Sequence, residues 1–335
     1  MNERKNRTGR WFAWAAGLAA LGGLGPLLAD ADYRDMGMGL LLAALAALAA
    51  AFGILLVFRR RTVLSGIVKF WAILLVNTVI FGAAGVYWFG PVAIFHPHGD
   101  EAAEAALAEE ASVEYAATED GVLSGWLYRC GAADAPVILC FYGNGETASR
   151  KTLELTGLAR RGYFPGFDLA VFDYPGYGRA PGRPTERSLL RMALAAFDRL
   201  RERYDTVCVL GYSIGTGPAN YVAANRPVAA LALMAPYADG YDLYNSALDI
   251  FHGPLTRLLV SFKMESRLWA RRVKVTPLLL ASPRDRTVPF ASSRALAECY
   301  PRAEFRSVEV ADHAAFWQNE ECLRRIAAYF TEAVS

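Results

Sequence analysis

The pattern of apolar and polar positions divides the chain into two unlike parts. In the first 95 residues, three long apolar runs are almost free of charge, at 11–29, 39–58 and 70–89. Each run is close to the ~20 residues that an α-helix needs to cross the hydrocarbon core of a membrane. The pattern therefore predicts an all-α anchor of about three transmembrane helices over residues 1–95. A polar connector rich in alanine and glutamate follows at 96–111 and is expected to be a solvated helical spacer.

After residue 112 the chain alternates between strand-like and helix-like periods. Two alternating segments joined by a turn at 119–121 predict an antiparallel hairpin, and three apolar runs, PVILCFY, DLAVFDY and TVCVLGY, predict strands buried on both faces. VAALALMA, TPLLLAS and EFRSVEV continue the series of predicted strands, and a last helix is expected at 314–333. The predicted domain, 112–335, is an α/β fold with a mostly parallel eight-stranded sheet flanked by helices. Residues 237–272 break the rhythm with aromatic and apolar side chains and are predicted to form a small helical lid.

Charge adds an orientation to the predicted anchor. Residues 1–95 carry a net charge of +5, which leaves the remaining 240 residues at −3. The N-terminus and the second loop are basic and the first loop is acidic, so the positive-inside rule places everything after residue 90 outside the inner membrane. A cleaved signal peptide is the alternative for the first run, and it leaves the domain on the same side. Membrane lipids are the expected partner of residues 1–95. Nucleic acid is not expected, because the domain carries no basic stripe.

Cysteine and histidine usage gives no support for a metal site. The five cysteines form no CxxC pair, and two of them, Cys140 and Cys208, are expected to be buried thiols. Pairing of Cys299 with Cys322 stays open, since both fall in predicted helices. The two histidines at positions 96 and 98 have no third ligand nearby. No metal is therefore expected.

The segment LGYSIGTG, Leu210–Gly217, carries the candidate nucleophile. Chance supplies G-x-S-x-G often enough that the motif alone is moderate evidence. Here, however, it follows a buried strand and precedes a plausible helix, which is the context that a nucleophile elbow requires. Gly211 and Gly215 permit the sharp turn, and Ser213 is then exposed at the carboxyl edge of the sheet.

An activated serine needs a base, and the base needs an orienting acid. Two histidines follow Ser213: His252 falls in the predicted lid, whereas His313 follows the last strand at the edge where the serine lies. Asp285 ends the preceding strand and is preferred as the acid. Asp312 is the competitor, but neighbours on a loop rarely aim their side chains at each other. The sequence therefore predicts a triad of Ser213, Asp285 and His313.

Attack on a carbonyl also needs backbone donors for the oxyanion. The N–H of Ile214, directly after the nucleophile, is one expected donor. The other is expected from the glycine-rich turn Tyr142–Glu146, because backbone there can come close to a substrate.

From Ser112 to the end, the chain resembles the alpha/beta hydrolases, specifically small-lid, membrane-anchored serine hydrolases of bacteria and eukaryotes. FYGNGETASR is similar to their His-Gly-Asn loop, and FDYPGYGRAPGRP, LGYSIGTG and SPRDRTVP are similar to three further segments in the family's order. The resemblance implies the same triad, with the backbones of Asn144 and Ile214 as oxyanion donors. Tyr142 stands where many members have histidine, so the shape of the oxyanion loop stays open.

These features predict a membrane-tethered serine hydrolase that cleaves carboxylic esters or thioesters through an acyl-serine intermediate. The expected substrate is a lipid-like or acylated small molecule, and the reaction needs no cofactor. A serine peptidase or amidase of the same fold is one alternative. A non-catalytic hydrolase-fold binding module on a membrane anchor is another.

Overall fold

The computed structural model describes residues 44–45, 47–48, 51, 63–108, 111–118, 121–247, 252 and 260–335. The chain divides into two compact units, with the boundary after Gly90. Helix α1 spans Val63–Ile94 and contains the third apolar run, 70–89. The first run lies outside the described residues, and so does most of the second.

The predicted three-helix membrane anchor is not supported by the structure. Within the residues that the structure describes, no helix combines the length and the hydropathy that a membrane crossing requires. Several large apolar side chains of α1 are nevertheless exposed, namely Phe70, Trp71, Leu75 and Val79.

Eight strands form one sheet in the order β1-β2-β4-β3-β5-β6-β7-β8. They are β1 (Ser112–Thr118), β2 (Gly121–Tyr128), β3 (Val137–Phe141), β4 (Asp168–Phe172), β5 (Val207–Tyr212), β6 (Ala230–Met234), β7 (Leu278–Ala281) and β8 (Glu304–Ser307). The pairs β1–β2 and β2–β4 are antiparallel, and the other five neighbouring pairs are parallel. The predicted mostly parallel α/β sheet is therefore confirmed.

The five strands β3 to β7 carry apolar runs because helices cover both of their faces, and every residue of these strands is buried. Among the described residues of the second unit, the helices are α2 (Glu101–Leu107), α3 (Ala148–Arg160), α4 (Glu186–Arg201), α5 (Thr216–Asn225), α6 (Gly240–Ala247), α7 (Ser266–Ala270), α8 (Phe290–Ala297) and α9 (Glu320–Val334). Two 3₁₀ turns, Ser213–Gly215 and His313–Gln318, follow β5 and β8. Both turns thus lie beyond the carboxyl ends of parallel strands.

The connector at 96–111 differs from the expected solvated spacer. Asp100 caps α2 by accepting the N–H of Ala103, and it pairs with Arg150 of α3 at 2.8 Å. Glu104 pairs with Arg179, and the side chain of Leu107 is buried. A short alanine-rich helix is therefore held on the domain by two ion pairs and by the burial of Ala103 and Leu107.

The segment 237–272, predicted to be a lid, contains α6 and α7. Residues 248–251 and 253–259 lie outside the described part of the chain. Phe262 is fully buried and packs edge-on against Phe95, with ring centroids 5.0 Å apart. A role as a lid stays a prediction. All five cysteines are described and are free thiols, so Cys299 and Cys322 do not pair.

Candidate active site

The turn after β5 holds Ser213 in a conformation that few residues adopt. Its φ of 53° lies in the left-handed region, which is strained for a residue with a side chain. The two flanking glycines sit at close approaches. A Cβ on Gly215 would lie 2.3 Å from the carbonyl oxygen of Phe141, and a Cβ on Gly211 would lie 2.7 Å from the Cβ of Ala219. The turn therefore needs glycine on both sides of the serine.

Substituting Gly215 tests whether this close approach is essential to the fold. Gly215→Ala is expected to lower the free energy of unfolding by about 1–3 kcal/mol, because overpacking against the backbone of β3 forces a shift. Gly157→Ala is the matched control, since nothing lies within 4 Å of a Cβ there and the residue is inside α3. That control is expected to stabilise by ~0.5–1 kcal/mol through helix propensity. Urea unfolding of both variants measures the difference, and equal effects would contradict the close-packing argument.

In the predicted triad, His313 lies within hydrogen-bond distance of both Ser213 and Asp285. The Nε2 atom of His313 lies 2.7 Å from Oγ of Ser213, and its Nδ1 atom lies 2.7 Å from Oδ2 of Asp285. The other carboxylate oxygen of Asp285 accepts the N–H groups of Thr287 (2.8 Å) and Val288 (3.0 Å). Because the buried carboxylate is held in this way, the imidazole can present Nε2 to the serine hydroxyl.

The competing acid, Asp312, has a different function in the structure. Its Oδ1 accepts the N–H of Ala315 at 3.1 Å and so caps the 3₁₀ turn that begins at His313. The other histidine considered, His252, is exposed within the segment 237–272. The arrangement of donors and acceptors thus favours Asp285 and His313.

The turn after β3 holds the predicted oxyanion residue Asn144. The side chain of Asn144 accepts from the hydroxyl of Tyr177 (3.1 Å) and from the N–H of His96 (3.3 Å), and its amide donates to the carbonyl of Ile94. These contacts turn the side chain away from the role of a donor to substrate. An oxyanion role for Asn144 would fall on its backbone N–H, and it stays a prediction, as does that of Ile214.

The two histidines at the start of the domain have structural partners. Nδ1 of His96 lies 3.0 Å from the amide nitrogen of Asn144, and Nδ1 of His98 lies 2.9 Å from the carbonyl of His96. No group of three or more His, Cys, Asp or Glu suited to a metal ion occurs in the described part of the chain.

Tyr142, at the start of the turn after β3, is part of a buried aromatic stack. Its ring stacks on Tyr174 with centroids 4.1 Å apart, its hydroxyl accepts the N–H of Tyr174, and its carbonyl accepts the hydroxyl of Tyr174 at 2.6 Å. Burial raises the pKa of Tyr142 well above its usual value, so the ring is neutral. The tyrosine therefore fixes the turn by packing and hydrogen bonding.

Comparison with known proteins agrees with this architecture. The family model of the alpha/beta hydrolase fold matches residues 136–257. The esterase Pf2001 of Pyrococcus furiosus superposes with a TM-score of 0.57 at 16% identity, covering 71% of this chain and 96% of that one. Est1E of Butyrivibrio proteoclasticus superposes with a TM-score of 0.54 at 14% identity, covering 66% and 98%. The domain has the alpha/beta hydrolase fold.

Two relatives identified by sequence are similar to part of this chain. Uncharacterized protein Rv2307c of Mycobacterium tuberculosis is 32% identical over 186 residues, covering 53% of this chain and 63% of the relative. The rat lysophosphatidylserine lipase ABHD12 is 26% identical over 212 residues, covering 55% and 50%. The chain thus spans less than two thirds of the length of these two relatives.

One side chain next to the predicted triad was not identified from the sequence. The ring of Tyr212 stacks on His313 with centroids 5.3 Å apart and 23° between planes, and its hydroxyl donates to the carbonyl of His313 at 2.7 Å. Burial raises the pKa of Tyr212, so the hydroxyl stays a donor. The sequence feature that could have identified Tyr212 is its position at the end of a buried strand, directly before the candidate nucleophile.

An open groove of about 880 Å³ begins at His313 in this hydrolase fold. Two arginines, Arg284 and Arg286, line it together with Asp312 and small or neutral residues. Arg284 also pairs with Glu309 at 3.3 Å. The groove therefore presents groups of both charges beside the candidate base, with Arg284 paired to a carboxylate.

Proposed function

We propose that this chain is a serine hydrolase that cleaves carboxylic ester or thioester bonds through an acyl-serine intermediate. The proposal rests on two contacts of His313, each 2.7 Å long. Its Nε2 atom contacts Oγ of Ser213, and its Nδ1 atom contacts Oδ2 of Asp285. The arrangement lies at the carboxyl edge of a parallel sheet, where alpha/beta hydrolases present their nucleophile.

In the proposed reaction, His313 takes the proton of the Ser213 hydroxyl as its oxygen attacks the substrate carbonyl. The backbone N–H groups of Ile214 and Asn144 stabilise the negative charge on the carbonyl oxygen. The imidazolium, stabilised by Asp285, then gives its proton to the leaving group. Water activated by His313 hydrolyses the acyl-serine and returns the free enzyme. None of these steps needs a metal or an organic cofactor.

Two observations support a lipid-like substrate with an anionic group. The relative ABHD12 is named a lysophosphatidylserine lipase, and this chain is 26% identical to it over 212 residues. Arg286 lines the groove beside His313, where its guanidinium group suits a negatively charged leaving group or headgroup. The substrate class proposed is an acyl ester whose non-acyl part is anionic.

Attachment to a membrane belongs to the same proposal. The apolar runs of residues 1–95 and the exposed Phe70, Trp71 and Leu75 of α1 support a lipid partner. The distribution of basic residues around those runs supports an extracytoplasmic position for the hydrolase domain.

Activity-based labelling tests this function directly. Wild-type protein is expected to react with a fluorophosphonate probe, in the membrane fraction, and to hydrolyse anionic acyl esters faster than neutral esters of the same chain length. Aminoacyl amides in the same panel test the amidase alternative. A folded wild-type protein that neither labels nor hydrolyses any of these compounds would instead indicate a non-catalytic binding module.

A further inference from the structure

Lys151 of α3 is an unusual residue because its side chain is completely buried. Its ammonium group lies 2.9 Å from Oε1 of Glu146, pairs with Glu154 one turn along the helix, and lies 4.0 Å from the ring centroid of Trp317. Burial lowers the pKa of Lys151, but the two carboxylates outweigh burial and raise it overall, so the ammonium ion stays charged. A buried charge is costly unless it is paired, so this position needs a specific reason.

On one side, Lys151 is linked to the turn after β3. The second oxygen of Glu146, Oε2, accepts the N–H of Gly143 at 2.8 Å. Gly143 also lies against the ring of Tyr212, where an added Cβ would meet Cε1 at 2.8 Å. Glu146 therefore transmits the position of the ammonium group to the turn that carries the proposed oxyanion donor.

On the other side, Lys151 contacts the segment that carries the base. Trp317 belongs to the 3₁₀ turn that begins at His313, and it lies almost fully buried. Its ring packs edge-on against Tyr212, with centroids 5.8 Å apart, and Tyr212 in turn stacks on His313. One buried cation thus lies between the oxyanion turn and the histidine turn.

We propose that the half-buried Glu146 and the buried Lys151 form a clamp that sets the position of the turn Gly143–Gly145 relative to the turn of His313. Both are positioning residues, because their contacts reach the reacting groups through Gly143, Trp317 and Tyr212. The clamp fixes the position of the proposed oxyanion donors relative to the triad, a role that rests on the proposed serine hydrolase function. Since a misplacement of about 1 Å can lower a rate about 10²-fold, loss of the clamp is expected to lower kcat.

The two carboxylates of Lys151 provide a matched pair of variants. Glu146→Ala removes both the ion pair and the acceptor for Gly143, whereas Glu154→Ala removes an ion pair to the same ammonium and no contact with Gly143. We expect Glu146→Ala to lower kcat and the rate of fluorophosphonate labelling about 30-fold, with KM changed less than about twofold. Glu154→Ala is expected to stay within about twofold of wild type in both. Glu146→Gln keeps an acceptor for Gly143, so its kcat and labelling rate are expected to lie between those of the two alanine variants. It also provides a test of Glu146 if Glu146→Ala does not fold.

Hydrogen–deuterium exchange of the full chain in detergent gives a second readout that does not depend on activity. Glu146→Ala is expected to raise exchange in peptides covering 141–147 and 313–318, whereas Glu154→Ala is expected to leave both unchanged. If wild type does not label, the proposed function fails while the exchange data still decide the clamp. If the Glu146 and Glu154 variants exchange alike, or lose kcat equally, the clamp is overturned.

Discussion

Ser213→Ala is expected to lower kcat by about 10⁶-fold for the best ester substrate, the loss that removal of a triad nucleophile produces in serine hydrolases. The reason is local: the substitution deletes the Oγ atom that lies 2.7 Å from Nε2 of His313, and no acyl-enzyme can form without it. The variant is also expected to show no covalent fluorophosphonate adduct by intact-protein mass spectrometry. A residual rate above that of water is expected from the remaining oxyanion donors.

Ser293→Ala is a suitable control for this substitution. Ser293, which lies on α8, is also a buried serine, but its hydroxyl donates to the carbonyl of Pro236 at 2.6 Å. It is expected to label like wild type, even where the lost hydrogen bond lowers stability by about 1 kcal/mol. Labelling of Ser213→Ala at the wild-type rate would refute Ser213 as the nucleophile.

The sheet and the location of the site were predictable because both depend on short-range patterns. Apolar runs bounded by glycine and proline predict buried parallel strands, and the carboxyl ends of such strands meet at one edge. Each residue of the predicted triad follows a predicted strand, so the topology alone placed Ser213, Asp285 and His313 at the same edge of the sheet. In the structure, His313 lies within hydrogen-bond distance of both Ser213 and Asp285.

The environment of the base was not predictable in the same way. Lys151 lies in a helix of mixed polar and apolar residues, where lysine is ordinarily expected in solvent. Its burial depends on Glu146, Trp317 and Tyr212, which come from three other segments. The pattern of apolar and polar residues along the chain does not predict such tertiary contacts.

Two local errors have equally specific causes. The connector helix α2 looked like a solvated spacer because its alanines and glutamates suit either environment, and the partners Arg150 and Arg179 lie far along the chain. The last helix, expected at 314–333, is divided into a 3₁₀ turn and α9 at Asn319. The side chain of Asn319 accepts the N–H of Cys322 and starts a new helix there.

Asp285→Asn is expected to lower kcat by about 10⁴-fold while leaving the fold intact. The amide oxygen can still accept the N–H groups of Thr287 and Val288, which places the amide NH₂ group toward Nδ1 of His313. Nδ1 must then act as an acceptor, so the neutral imidazole carries its proton on Nε2 and cannot take one from Ser213. The loss therefore comes from the wrong tautomer.

Asp312→Asn is the matched control, because it makes the same change in the residue next to the base. Asparagine caps helices as well as aspartate does, so the hydrogen bond to the N–H of Ala315 is retained. We expect its kcat to stay within about threefold of wild type, since the lost charge is solvent-exposed and screened. Steady-state kinetics on the two variants, with their thermal melting temperatures, separates the roles. A larger loss in Asp312→Asn than in Asp285→Asn would transfer the role of the acid to Asp312, and the alignment of Asp285 with Nδ1 would then be structural only.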